Sequence, residues 1–221
     1  MLINADVLHN LLEQHTIIDL RSKQEYDTAH ILGAVSLPAS INTDGAPFKT
    51  TAGLPEEALW AAWLGGCGIA SDTKIVAYDD GASGRAAARF WYIAKHYGHG
   101  DVLILNGGFP AASGVLPISA DIPGITPAIY TTKVTPGYIL DLDGVLENYD
   151  TATFLDVRSM EEYVGTDMRG NPRGGHVRGA KLVTMENFFA DAPGQSFATP
   201  EKLAQTMGSL GVRKSDFIVT Y

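Results

Sequence analysis

One cysteine, Cys67, is the whole thiol complement of these 221 residues. No intrachain disulfide can form, and a reducing compartment such as the cytoplasm suits the chain. Apart from His30 and His176, its histidines show no paired ligand spacing, so no metal site is expected, and no motif asks for a cofactor. Basic residues are also in short supply. Sixteen Lys and Arg stand against 25 Asp and Glu, which gives a net charge of −9 and a pI near 5.0. That balance argues against nucleic acid or an anionic membrane as a general partner, yet it leaves room for a local basic pocket that takes a small anion. No apolar run approaches the roughly 20 residues that span a bilayer. The opening MLINADVLHNLLEQH has neither the basic flank nor the apolar centre of a secretory signal, so none is expected.

What is present suits a packed protein. Hydrophobic residues make up 45% of the chain and the mean hydropathy is +0.02. The length is too great for one small domain and short for two average ones. The stretch KIVAYDDGASGRAAARFWY, from Lys74 to Tyr92, reads as a buried strand over 75–78, a loop with two glycines, then a helix. In open parallel α/β sheets ligands bind beyond the carboxyl ends of strands. A Gly-rich turn into a helix also gathers free N–H groups suited to an anion.

Around that stretch the spacing predicts a helix over 6–14, a strand over 16–20 and a helical turn over 23–28. A strand over 34–37 ended by Pro38, a helix over 56–64, a helix over 86–97 and a strand over 102–105 follow. Strands alternating with helices imply an α/β fold, a mostly parallel sheet with helices on both faces. Residues 115–136 carry Pro117, Pro123, Pro127 and Pro136 and read as an extended linker. Beyond it come a helix over 137–147, a strand over 153–157, a turn over 161–164, a strand over 181–183, a helix over 199–210 and a strand over 217–221.

The two halves repeat one another. Ile18-Asp19-Leu20-Arg21-Ser22 with Tyr26 matches Leu155-Asp156-Val157-Arg158-Ser159 with Tyr163. His30-Ile31-Leu32-Gly33-Ala34 matches His176-Val177-Arg178-Gly179-Ala180, and Gly68 through Tyr78 matches Gly211 through Tyr221. Matched positions lie about 140 residues apart in the chain, far beyond the period of a solenoid, so they mark two domains of one fold. The expected division is a first domain over 1–114, the linker over 115–136 and a second domain over 137–221. The second copy lacks counterparts of the helix over 86–97 and the strand over 102–105, and is expected to be incomplete as it stands.

Asp-x-Arg-Ser with a following Glu-Tyr, then Gly-Ala after a histidine, then a strand ending in Tyr before a loop, resembles the rhodanese family. The tandem order resembles its two-domain sulfurtransferases, which act on thiosulfate or 3-mercaptopyruvate. Tyr78-Asp79-Asp80-Gly81, Ala87-Ala88-Arg89-Phe90-Trp91-Tyr92 and Gly107-Gly108-Phe109-Pro110 resemble the non-catalytic half. The resemblance implies a cysteine directly after the strand, which carries sulfur as a persulfide from a small anionic donor to a thiol or cyanide-like acceptor. In the first domain that position is Asp79, which cannot carry sulfur. In the second it is the position after Tyr221, so no catalytic residue is expected within these 221 residues. The expectation is that the chain is cut off just before the second active-site loop.

Each candidate has a plain structural reading beside the functional one. Cys67 aligns with Leu210, so a small buried apolar residue suffices there. Asp19 with Arg21 and Asp156 with Arg158 occur in both halves, which favours loop bracing, although Arg158 is also a candidate for substrate binding. His30 and His176 follow the same logic. The loop over 165–175, found only in the second half, holds Arg169 and Arg173 with Arg178 just beyond. It is either a solvated basic loop, or Arg173 faces the pocket and binds a donor's anionic end bidentately. The resemblance to mercaptopyruvate-using members, which carry an arginine in a comparable Pro-Arg context, supports the second reading. Glu162, where those members have another arginine, departs from it. Two other functions stand as alternatives: a non-catalytic rhodanese-like scaffold, and a cysteine-loop phosphatase.

Overall fold

Short runs of β-branched and apolar residues, each closed by a polar residue, build the sheet. The computed structural model describes residues 1–37, 54–81, 84–190 and 196–221. The chain divides into two compact units, the first to Ile139 and the second from Leu140. Pro38, Ala82 and Ser83 fall outside the described residues.

In the first unit, β1 (Leu2–Ile3), α1 (Ala5–His9), β2 (Thr16–Asp19), α2 (Lys23–Thr28), β3 (His30–Ile31) and β4 (Val35–Ser36) come first. They are followed by α3 (Glu57–Gly66), β5 (Ile75–Tyr78), α4 (Arg85–His96), β6 (Val102–Leu105), α5 (Gly108–Ala112) and β7 (Ile118–Ser119). Five strands form a parallel sheet in the order β1-β6-β5-β2-β4. Every residue of β5 is buried, as strands covered on both faces require. Leu8 of α1, Tyr26 of α2 and Ala112 of α5 join Ile17, Val76 and Leu105 in one cluster. On the helices α3 and α4, Trp60 packs against Phe90 with ring centroids 5.5 Å apart, and Trp60 has no exposed surface. Helices therefore cover both faces.

The helix expected over 6–14 is broken. Asn10 closes α1 with its N–H on Val7 O, and a 3₁₀ turn, Leu12–Gln14, leads into β2. Residues 115–136 form a strap laid along the first unit. β7 pairs antiparallel with β3. Further on, Ala128 N–H donates to Gly65 O, Lys133 N–H to Tyr97 O and Thr135 N–H to His96 O. The buried His99 ring stacks on Tyr130 at 5.7 Å and bonds its hydroxyl.

The second unit holds α6 (Leu142–Glu147), β8 (Thr153–Asp156), α7 (Met160–Val164), β9 (Lys181–Leu182), α8 (Pro200–Ser209) and β10 (Ile218–Thr220). α6 begins later than the expected 137 because Asp141 caps it, accepting from Gly144 N–H at 2.9 Å. Its parallel sheet runs β10-β8-β9, which is the order β5-β2-β4 again. The register repeats too. Thr16 faces Ile75 as Thr153 faces Ile218, and Asp19 faces Ser36 as Asp156 faces Leu182. Leu155, Val183 and Val212 form the small core of this unit.

Candidate active site

The carboxyl ends of β2 and β8 each present Asp-x-Arg, and the sequence locally decides what happens next. Ser22 caps α2, accepting from Glu25 N–H while Glu25 accepts from Ser22 N–H. Ser159 and Glu162 do the same for α7. The chain therefore turns sharply after the arginine, and the guanidinium folds back on the aspartate. Arg21 Nη2 donates to Asp19 Oδ2 at 2.6 Å and to Ala29 O at 2.6 Å. Arg158 Nη2 donates to Asp156 Oδ2 at 2.6 Å and to Gly175 O at 2.9 Å. The neighbouring strand supplies a tyrosine to each frame. Tyr78 Oη donates to Asp19 Oδ2 at 2.5 Å and accepts from Ile31 N–H at 3.2 Å. Tyr221 Oη accepts from Val177 N–H at 2.9 Å and interacts with the Asp156 carboxyl. Behind them Tyr26 stacks on His30 at 3.9 Å and Tyr163 on His176 at 3.7 Å. Each histidine Nδ1 bonds the stacked tyrosine's own carbonyl oxygen.

These frames shift their groups in opposite senses. Burial alone would raise the Asp156 carboxyl, but the hydrogen bonds from Arg158 and Tyr221 outweigh it and hold the acid below the ordinary carboxylate value. Burial, with the Asp19 charge beside it, pushes Tyr78 far up, so its hydroxyl stays a donor. The two frames differ in wetness: the Arg21 side chain is 5% exposed and that of Arg158 29%.

One residue beyond β5, Asp79 turns its carboxylate into its own loop. Oδ1 accepts from Gly81 N–H at 3.0 Å and Oδ2 from Ala87 N–H, in the first turn of α4, at 3.1 Å. Burial raises this carboxyl above its ordinary value against the pull of those amides. Gly81 has φ of 73°, and a Cβ there would meet Gly107 O at 2.5 Å, so the turn requires glycine. The buried Asp79 carboxylate thus takes up two backbone amides of the kind that hold an anion.

In the second unit the loop over 165–175 is closed at its neck. A Cβ on Gly165 would meet Gly175 N at 2.7 Å, and one on Gly174 would meet Gly165 O at 2.6 Å. Arg169 ties the loop down through Glu162 at 3.5 Å and Asp167 at 3.1 Å. Arg173 is exposed and pairs with no described residue. Arg158 spends Nε and Nη2 on Asp156 and Gly175. Glu162 is occupied by its capping box and Arg169, which accounts for a carboxylate in that turn.

A family model described as the rhodanese-like domain matches residues 4–114, half of the chain. The chain belongs to the rhodanese-like family. Thiosulfate sulfurtransferase of Bos taurus is 30% identical over 178 residues, covering 77% of this chain and 59% of the relative. 3-Mercaptopyruvate sulfurtransferase of Mus musculus is 28% identical over 177 residues, with 77% and 59% covered. The chain thus spans about 59% of the length of these curated relatives. Among solved structures, SseA from Escherichia coli, described as having the rhodanese fold of 3-mercaptopyruvate sulfotransferases, superposes with a TM-score of 0.82 at 22% identity. That match covers 99% of this chain and 87% of SseA. 3-Mercaptopyruvate sulfurtransferase from Leishmania major gives a TM-score of 0.75 at 20% identity, covering 100% and 65%. The α/β fold expected from the sequence is the rhodanese fold.

Within this rhodanese-like chain Cys67 closes α3 and is half-buried, not fully buried as expected, because it caps the helix end. Burial still raises its thiol pKa, which works against nucleophilic use. Leu210 closes α8 in the same way. No helix among the described residues is long and apolar enough to cross a membrane. The two tyrosine hydroxyls are the part of the frames that sequence reading assigned no role. Their signal was the strand-ending tyrosine at matched positions, Tyr78 and Tyr221.

Proposed function

We propose that this chain is the scaffold of a sulfurtransferase that moves sulfane sulfur from thiosulfate or 3-mercaptopyruvate to a thiol or cyanide-like acceptor. The observation that carries the reading is the repeated Asp–Arg–Tyr frame in matching register. One copy leads into a loop plugged by Asp79, so the first unit serves as the non-catalytic half. In the second unit a residue following Tyr221 would take the position of Asp79. A cysteine there would attack as a thiolate. Its sulfur bonds thiosulfate's outer sulfur as the S–S bond breaks and sulfite leaves, or mercaptopyruvate's sulfur as the C–S bond breaks and the pyruvate enolate leaves to take a proton from water. The acceptor then attacks the outer sulfur of the persulfide and the thiolate leaves restored. Arg173, exposed beside this frame's loop, would bind the donor's anionic end, and Arg158 would hold the loop carbonyl at Gly175 in place for it. The relatives' printed activities support the same substrate class. The setting proposed is the cytoplasm, a reducing compartment that fits a single free thiol.

The test measures thiocyanate from thiosulfate and cyanide, and pyruvate from 3-mercaptopyruvate. It compares the 221-residue chain with one continued through the next loop, carrying cysteine or serine directly after Tyr221. Turnover with cysteine alone supports the reading. Turnover by the 221-residue chain that survives Cys67→Ser would overturn it.

A further inference from the structure

Between Asp121 and Ile139 the strap buries one residue, Tyr130, which is 6% exposed. Around it the strap is tied at the rim of the first unit. Ala128 N–H donates to Gly65 O at 2.9 Å, Thr131 N–H to Ser71 Oγ at 2.8 Å, Lys133 N–H to Tyr97 O at 3.0 Å and Thr135 N–H to His96 O at 2.7 Å. Tyr130 is therefore the one anchor of this stretch that water does not reach. Its hydroxyl meets His99, a histidine 2% exposed on the turn between α4 and β6.

The partners of the ring decide where its proton sits. Thr73 O lies 2.7 Å from His99 Nε2, and a carbonyl only accepts, so Nε2 carries the N–H. Nδ1 is then the acceptor, and Tyr130 Oη donates to it at 3.1 Å. Trp60 of α3, whose indole N–H can only donate, interacts with the same hydroxyl. The neutral ring suits all of these partners. A second proton puts an N–H on Nδ1 where the hydroxyl's own proton points, and the hydroxyl then faces a donor on either side. It also places a charge out of reach of water. Of the charged groups that face the ring, Lys95 of α4 opposes that charge, while Asp101 ahead of β6 and Asp72 ahead of β5 favour it. Burial outweighs the two acids and holds the imidazole below its ordinary value.

We infer that His99 and Tyr130 form an acid-operated latch: a proton on His99 Nδ1 releases the strap around Tyr130 from the first unit. In the released state His99 meets water and takes its proton at the ordinary value, whereas the docked state takes it less readily. Docking is therefore at full strength above the ordinary histidine pKa, about 6.5. It weakens as pH falls from there toward the lower docked value. His30, the other buried histidine that the strap touches, lies at its far end against Asp121 O at 3.1 Å, so readouts near Tyr130 report on His99. The inference is independent of the sulfur-transfer reading.

The test takes the 221-residue chain from about pH 7.5 to about pH 5, a span around the ordinary histidine value. NMR follows the His99 ring shifts. Hydrogen exchange, corrected for its intrinsic pH dependence, follows the protection of the Ala128 and Lys133 amides. Protection at both should fall in step with His99 protonation, by up to about tenfold for each pH unit. The amides of Leu20 and Ile104, bonded across the sheet, should keep theirs. His99→Gln, a neutral side chain able to accept from Tyr130 and donate to Thr73 O, should abolish the step. Tyr130→Phe removes the donor that favours the neutral ring, so the His99 midpoint should rise. Protection that stays level across this span, a step that survives His99→Gln, an unmoved midpoint in Tyr130→Phe, or equal loss at Leu20 and Ile104 overturns the proposal.

Discussion

A hydroxyl shared between a carboxylate and an amide is the smallest feature on which each site frame depends. Removing it leaves both partners short inside the protein. Tyr78→Phe strips a donor from Asp19 and orphans Ile31 N–H, all buried. Urea unfolding should show a loss of about 2 kcal/mol, the usual cost of an unsatisfied buried group. Tyr221→Phe acts on a half-buried copy and should cost about 1 kcal/mol, since water can replace the missing partner. The acids give a second check. Asp79 is raised by burial and Asp156 is lowered by Arg158 and Tyr221 against the pull of burial. Side-chain carbon NMR titration should therefore place Asp79 above, and Asp156 below, the ordinary carboxylate value. Their linkage has opposite sign. Asp156 contributes stability that is full above its unfolded pKa and lost as pH falls through its lower folded pKa. Asp79 binds its proton more tightly when folded, so its contribution falls as pH rises from its unfolded to its folded pKa. Equal midpoints for the two acids would contradict this account. The pairing of Asp19 with Arg21 was legible in the sequence because both sides of the contact lie two residues apart. The Asp79 cradle was not, since its donors are backbone amides that leave no trace in residue identity.

At the scale of elements, strands read well and backbone docking read badly. Strands at 75–78 and 102–105 have the bounds expected, because unbroken apolar runs closed by polar residues leave little choice. The short strands β1, β3 and β7 were missed: two residues carry no period. Residues 115–136 read as a linker because prolines suppress periodicity, yet the segment is sewn to the first unit by N–H groups donating to helix-end carbonyls. Its real signature was the glycines beneath it, Gly65 and Gly68. Gly65→Ala tests that assignment. The added methyl would stand 2.6 Å from Ala128 O, and a backbone atom cannot swing away. The first unit should lose about 1–3 kcal/mol, the range for overpacking a tight site, read as a lower thermal midpoint. Hydrogen exchange at the Ala128 and Lys133 amides should rise with it. Unchanged exchange there would mean that the strap is not held by this contact.

Across the whole molecule the two units carry the same frame with different finishes. In the first, Asp79 takes up the amides of Gly81 and Ala87, Arg21 is buried, and the strap covers the ends of α3 and α4. The second keeps Arg158 partly wet and adds the braced loop with Arg173. With a net charge of −9, the protein as a whole repels small anions, so an anionic donor needs a local cation to approach. Arg169 is paired with Glu162 and Asp167, and Arg158 with Asp156, whereas Arg173 pairs with no described residue and stands on a loop whose neck is fixed by glycine contacts. Under the proposed reading, this uncommitted guanidinium is the group the loop would offer to a donor's anionic end. Under the sulfur-transfer reading, Arg173→Ala in a catalytically complete chain should raise KM for thiosulfate or 3-mercaptopyruvate about tenfold, the worth of one hydrogen bond to a charged group. kcat should change little, since the arginine would bind donor and transition state alike. Arg173→Lys should recover part of the loss for thiosulfate, where charge suffices, and less for the planar carboxylate of mercaptopyruvate, where the fork matters. The thermal midpoint should not move, because the side chain holds nothing in place. Raising salt should weaken donor binding to the parent more than to Arg173→Ala. A KM that ignores both the substitution and the salt would assign Arg173 to the solvated surface and remove it from donor recognition.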